Sequence, residues 1–316
     1  MSDAATLGPR TSAEWKAALD SLPANPNKIP AFYFGHGSPM MAFPEESQRV
    51  KDFSHLGPNG PLAKFLKDFG PTLLDKYNPK AIVVFSAHWD IQGEQLVSDY
   101  GDVNPLYYDY YGFPASLYQL HFKSRGDSAI SQRVVQLFRD SGIPARTSPA
   151  TEMRGVDGLQ KMSSGLDHGV FVPFRIMFGE EFTDIPIIEV SFDGTLDPEA
   201  NWRIGQAVKK LREEKILILS GGLTIHNLRD FASFSEESAA AQYKAFDRAV
   251  LAAASEPDGP RRKDLLKKLT AHSAYHIAHP RADHFVPIYV AAGAGEDGGV
   301  KIISGIYGQP TIAFGL

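Results

Sequence analysis

With 316 residues, 43% of them hydrophobic and 22% charged, the chain is long enough for one large α/β domain or two modest ones and has nothing of the composition of a disordered protein. A net charge of −5, with no long Lys/Arg run, excludes a nucleic-acid backbone as the expected partner. The absence of cysteine excludes disulfides, Fe–S clusters, thiolate-bound zinc and thiol nucleophiles, so any metal must be held by imidazole and carboxylate.

Residues 1–30 carry Asp3, Glu14 and Asp20 and no apolar core, which reads as neither a secretory signal nor a transit peptide. No apolar run approaches a membrane span, so the expectation is a soluble, cytoplasmic enzyme. Thr11-Ser12-Ala13-Glu14 has the pattern of a capping box, and Trp15, Leu19 and Leu22 fall on one face of the helix it would open. Residues 1–30 therefore form a helical extension, tied on by Pro23 to Pro30. Ala31–Phe34 predicts a short buried strand running into Gly35-His36-Gly37-Ser38-Pro39, and Ala81–Phe85 a second running into Ser86-Ala87-His88-Trp89. Between them, Leu62, Phe65, Leu66 and Phe69 have helical spacing; Ile130, Val134, Leu137 and Phe138 make an amphipathic stripe that stops at Gly142.

Pro186–Val190 predicts a strand, followed by a helix marked by Ile204, Val208 and Leu211. Ile216–Leu219 predicts another strand, breaking into Ser220-Gly221-Gly222-Leu223-Thr224-Ile225-His226-Asn227. Glu236 to Ala254 and Pro260 to Thr270 read as helices, and Thr311 to Phe314 as a closing strand. The basic segment Arg261-Arg262-Lys263 with Lys267-Lys268 reads as the solvated face of a helix. Strands alternating with helices, without a composition shift, imply one α/β domain over 31–316 with a central mixed or largely parallel sheet flanked by helices.

Among the ten histidines, position matters more than number. His36, His88 and His226 each follow a short apolar strand, inside a loop of small residues. Ligands of open α/β sheets bind at the carboxyl ends of strands, where three imidazoles could converge on one point. Any one of them could equally be a core histidine satisfied by a backbone hydrogen bond; the shared setting is what argues against coincidence. His168, beside Asp167, and His284, ahead of an apolar stretch, are weaker on spacing alone. His272 and His276 have the i, i+4 spacing that metals use on a helix, but no Glu follows His272 and Pro280 ends any helix soon after. The run from Tyr107 to Pro114, with four tyrosines, could line a pocket for a planar aromatic or could simply be a packed loop.

Phe34-Gly-His-Gly-Ser-Pro39, Phe85-Ser-Ala-His-Trp89, Gly165-Leu-Asp-His-Gly169, His226-Asn-Leu228 and Asp283-His-Phe-Val-Pro287, in that order, resemble the DOPA-dioxygenase branch of the class III extradiol dioxygenases. That superfamily includes the protocatechuate 4,5-dioxygenase β subunit, and the resemblance runs from Ala31 to the C-terminus. It implies that His36, His88 and His284 are metal ligands, that His226 is either a fourth ligand or a base beside the metal, and that His168 contacts substrate; His168 and His226 are the implied catalytic pair. It further implies Fe(II) for activity, with Zn(II) possible as the bound ion, a small catechol and O2 as partners, and a monomer or small homo-oligomer. The chain departs from the family in its first 30 residues, in a segment from Thr147 to Ser164 that reads as an insertion before His168, and in Asp283, where glutamate is more usual. A zinc hydrolase using the same histidines, or a non-catalytic signalling member of the fold, are the alternatives.

Overall fold

Short strands that are apolar on consecutive residues are stable only with both faces covered, and the computed structural model, which describes residues 8–43, 54–156 and 162–316, contains a sheet of that kind. The strands are β1 (Ala31–Gly35), β2 (Ala81–Ile91), β3 (Gln95–Asp99), β4 (Lys123–Ser124), β5 (Ala145–Pro149), β6 (Gly155–Val156), β7 (Met162–Ser163), β8 (Glu181–Phe182), β9 (Ile187–Asp193), β10 (Ile216–Gly222), β11 (Val300–Ser304) and β12 (Thr311–Phe314). Eight of them form one sheet in the order β11-β12-β1-β10-β2-β9-β3-β5, while β4-β8 and β6-β7 are two-stranded ribbons. The centre of the sheet, β1-β10-β2-β9, is parallel; β12 runs antiparallel to β1, and β3 antiparallel to β9. The α/β class with a mixed sheet, expected from the alternation of elements, is what the chain adopts.

The helices are α1 (Ser12–Asp20), α2 (Pro61–Tyr77), α3 (Ser128–Asp140), α4 (His168–Phe178), α5 (Pro198–Val208), α6 (Ala241–Ala254), α7 (Gly259–Lys268), α8 (Tyr275–Ala278) and α9 (Pro287–Ala294). Successive side chains of a strand point to opposite faces, so each apolar run feeds two cores. Ala31 and Tyr33 of β1 join the core shared with α3, α5, α6 and α9, while Phe32 and Phe34 join the core shared with α1, α2 and α4.

Two expectations need correction, and one helix was not anticipated. The strand carrying His88 does not break at Ser86 but continues to Ile91, with its pairing to β9 irregular between Phe85 and Asp90. Such an irregularity re-aims side chains without ending the strand. Arg262 is not on a solvated face: it is fully buried, donates to the carbonyl oxygens of Glu256 and Pro257, and lies over the Phe314 ring. Lys263 and Lys267 of the same helix pair with Glu199. Helix α4 escaped the periodicity because it is apolar nearly all round, with seven of its eleven residues buried. Within the segment read as an insertion, residues 157–161 lie outside the described residues; β6 and β7 pair antiparallel on either side of them.

The capping box of α1 forms, with the Thr11 and Glu14 side chains each accepting from the other's backbone N–H. Trp15 is buried, packs edge-on against Phe65 at 5.8 Å, and donates from Nε1 to Asp68 on α2 at 2.9 Å. Replacing Trp15 with alanine should therefore destabilise the fold by about 3 kcal/mol, the usual cost of truncating a large buried aromatic. Chemical denaturation checks this, and a change below about 1 kcal/mol would mean that α1 is not integral to the fold.

A buried carboxyl, Asp247 on α6, joins the exit of β10 to the C-terminal region by accepting from Thr224 Oγ1 at 2.6 Å and from the Gly308 N–H at 3.1 Å. Burial pushes its pKa up to about 6, although those two hydrogen bonds oppose the rise. The folded state thus holds this proton more tightly than the unfolded chain does, and stability is lost as pH rises from about 4 through 6. Asp247→Asn, which keeps the acceptor oxygen and removes the charge, should raise stability above pH 7 by on the order of 1–3 kcal/mol and give no benefit below pH 4. Melting curves across that range provide the check; an equal gain at both ends would refute the burial argument.

Candidate metal centre

Adjacent parallel strands lie about 4.8 Å apart, so the exits of β1, β10 and β2 fall side by side. His36 follows β1 directly, and its N–H donates to the Gly222 carbonyl at the end of β10. His88 is carried by the irregular part of β2. His284 precedes α9, and its carbonyl accepts from the Leu223 N–H at 2.8 Å, which ties that loop to β10. The close approach explains one glycine: a Cβ at Gly222 would lie 2.5 Å from the His284 carbonyl oxygen.

His36, His88 and His284 each offer a ring nitrogen within 4.8 Å of the other two. Ring centroids are 5.1 Å apart for His36–His88, 5.2 Å for His36–His284 and 4.9 Å for His88–His284. Both nitrogens of His36 are buried without a hydrogen-bond partner, a costly arrangement unless something binds them. His88 Nδ1 donates to Asp167 at 3.2 Å and His284 Nδ1 to Asp283 at 3.0 Å. Those carboxylates fix the tautomers, leaving two Nε2 lone pairs facing each other at 3.1 Å. Lone pairs so placed need a positive charge between them, either a proton or a metal ion.

The electrostatics favour a cation. Burial holds His36 and His284 well below the usual histidine range, and so as neutral imidazoles, the form that ligates metal. Burial would also depress His88, but Asp109 and Asp167 outweigh it and hold its pKa near 9. Burial opposes ionisation of Asp167, yet its bonds to His88 and the Arg154 guanidinium keep it well below the ordinary carboxylate value. Three imidazoles, two of them backed by carboxylates, are a donor set that suits Fe(II) and Zn(II) alike.

His168 is the first residue of α4, whose N-cap is Asp167. Its Nδ1 donates to Asp109 at 2.7 Å, its N–H donates to the same oxygen at 2.9 Å, and its ring stacks on His88 at 4.1 Å. Tyr110 lies 5.5 Å from His168, its ring perpendicular to the imidazole. Gly169 permits this packing, since a Cβ there would lie 2.8 Å from His88 Nδ1.

His226 lies face to face with His284, their centroids 3.5 Å apart and their planes within 13°. Its nitrogens group with Asp283 and His284, whereas the group that includes His36 and His88 does not contain it. Burial lowers its pKa to about 4. The loop is anchored by Asn227, whose Nδ2 donates to Tyr243 Oη and to the Ile277 carbonyl, both at 3.0 Å.

The structure thus brings together His36, His88, His168, His226 and His284 and leaves the remaining histidines elsewhere. Among the described residues, His272 and His276 belong to no three-donor group; His272 Nδ1 accepts from the Ala274 N–H, and α8, which holds His276, is four residues long. His55 bonds the Phe234 carbonyl and His279 the Thr224 carbonyl. Sequence reasoning missed Asp109, hidden in the tyrosine-rich run, and Arg154 and Glu189, which no motif flags. The only available signal was Asp109 itself, a lone acid among aromatics.

A family model described as the catalytic LigB subunit of aromatic ring-opening dioxygenase matches residues 30–314. A Schizosaccharomyces pombe protein named 4,5-DOPA dioxygenase extradiol-like protein is 42% identical over 305 residues, covering 96% of this chain and 97% of that protein. The Beta vulgaris 4,5-DOPA dioxygenase extradiol is 30% identical over 285 residues, 90% of this chain and 94% of the relative. A crystal structure of an uncharacterized protein from Escherichia coli K12 superposes with a TM-score of 0.65 at 22% identity, covering 91% of this chain and all of that one, and so shares the fold.

Proposed function

Since the chain belongs to the family of the catalytic LigB subunit of aromatic ring-opening dioxygenases, we propose that it is a non-haem, metal-dependent extradiol dioxygenase that opens a catechol ring with O2. The substrate class is a DOPA-like or related phenolic catechol, in keeping with the names of the relatives. The observation that carries the metal-dependent part is the trio His36, His88 and His284, with two unpartnered His36 nitrogens and the His88 and His284 Nε2 atoms facing each other at 3.1 Å.

In this reading those three residues hold the ion. When bound, Fe(II) supplies Lewis acidity toward the catechol oxygens and the redox capacity for O2 that zinc lacks. The rest is the work of the chain. With Nδ1 committed to Asp109, His168 presents Nε2 as the group that takes a proton from a catechol hydroxyl. The ionised Asp109, held below the usual range by His168 and His88 against the opposing effect of burial, stabilises the imidazolium formed. His226 stays neutral near pH 7 and acts as a base or hydrogen-bond acceptor beside the site rather than as a ligand. Tyr110, buried and set edge-on to both Phe113 and His168, forms an aromatic wall for a planar ring.

The test is an assay of the Fe(II)-reconstituted protein against a panel of catechols, following oxygen uptake and the appearance of a yellow ring-opened product. Ring opening consumes O2, so turnover that persists anaerobically would favour a zinc hydrolase. Absence of turnover with stoichiometric iron bound would favour a non-catalytic member of the family.

A further inference from the structure

We propose that Arg154 is a positioning residue for the metal site, acting on His88 through Asp167; this rests on the reading of His36, His88 and His284 as the metal-binding trio.

Arg154 enters a nearly closed space beside β2, its side chain only 3% exposed. Nη2 donates to Asp167 Oδ2 at 2.8 Å, while Nη1 donates to Glu189 Oε1 at 2.7 Å and to the Gly165 carbonyl at 2.6 Å. The guanidinium also lies 4.0 Å above the ring of Trp89, the residue after His88. A single planar fork therefore spans two buried carboxylates and rests on the strand that carries the ligand.

Asp167 shows why this matters for the metal. Its Oδ1 accepts from Ser86 Oγ at 2.7 Å, the Gly169 N–H at 2.9 Å and His88 Nδ1 at 3.2 Å. All three bonds converge on one oxygen, so a small rotation of the carboxylate would disturb the hydrogen bond that sets the His88 ring. Arg154 holds the other oxygen and resists that rotation. A histidine ligand is oriented by the group its second nitrogen bonds, and loss of such a partner costs roughly 10–100-fold in metal affinity. The Arg154 N–H also donates to the carbonyl of Ser163, the last residue of β7, at 2.7 Å. The segment read from the sequence as an insertion thus reaches the metal site through this side chain.

A purely structural role is the competing account, because Arg154 is the cation between two buried acids. The discriminating pair is Arg154→Gln and the double variant Arg154→Gln/Glu189→Gln, in which no second buried acid is left without its guanidinium partner. Full-length proteins are stripped with a chelator, and Zn(II) affinity is measured by competition with a chromogenic chelator, a readout independent of turnover. Melting temperature is recorded in chelator. The proposal expects Arg154→Gln to bind Zn(II) about 10–100-fold more weakly. The double variant should recover thermal stability yet remain at least tenfold weak, and Arg154→Lys, whose point charge cannot span both carboxylates, should fall between. Wild-type affinity in a folded double variant or in Arg154→Lys overturns the positioning role while leaving the trio intact. A wild-type protein that binds neither Zn(II) nor Fe(II) overturns the trio reading itself, a separable result.

Discussion

Alanine at His36, His88 or His284 is expected to bring both metal binding and catechol ring opening to background, whereas alanine at His272 should leave both near wild type. The three rings converge with centroids 4.9–5.2 Å apart, and His36 has no partner on either nitrogen. A two-imidazole remnant retains neither the affinity nor the open-faced geometry that oxygen chemistry requires. The loss should also be visible without turnover. A ligand present at about 100 times its dissociation constant stabilises a fold by about 2.7 kcal/mol, so chelation should lower the wild-type melting temperature by several degrees. His36→Ala should melt at the same temperature with or without chelator, because it has no complex to lose. Retention of full Zn(II) affinity by any of the three variants would remove the basis for the site.

His168→Ala should show the complementary pattern, with metal affinity close to wild type and kcat reduced by roughly 10²–10⁴-fold, the range for removal of a general acid–base group. Asp109→Asn should give a loss in the same direction and of comparable size, since the amide no longer stabilises an imidazolium and its NH2 can hold the ring in the tautomer that carries the proton on Nε2. His226→Ala should likewise keep its metal, because the His226 ring stacks on His284 and its nitrogens fall outside the trio. Steady-state kinetics with zinc titrations on the same preparations separate these roles. A His168→Ala protein with wild-type kcat would end its assignment as base, and a His226→Ala protein that loses metal would make His226 a fourth ligand.

Much of this histidine cluster was legible in the residues because its members sit where local pattern is informative. His36 follows a four-residue apolar run and is flanked by glycines, and both facts have a direct reading: a buried strand, then a close approach. The same logic reached His88, although its strand runs on to Ile91. His168 and His284 were weak on spacing alone and emerged through the resemblance. Asp109 was not readable because the tyrosines around it suggest a packed loop, and Arg154 because a buried arginine looks in sequence like a surface one. Arg262 makes the same point: a basic run on a helix hides a side chain with no exposure at all.

What the sequence determined by itself is what depends on near neighbours: the alternation of elements, the burial of short apolar strands, the cap of α1, and imidazoles at strand ends. Strand order, the opposition of the His88 and His284 nitrogens, and the chain from Arg154 through Asp167 to His88 were decided only by tertiary structure. Those contacts join residues up to 196 positions apart. Their energy comes from desolvated charges that find partners only when the chain has closed around them, and no local periodicity records such a partner.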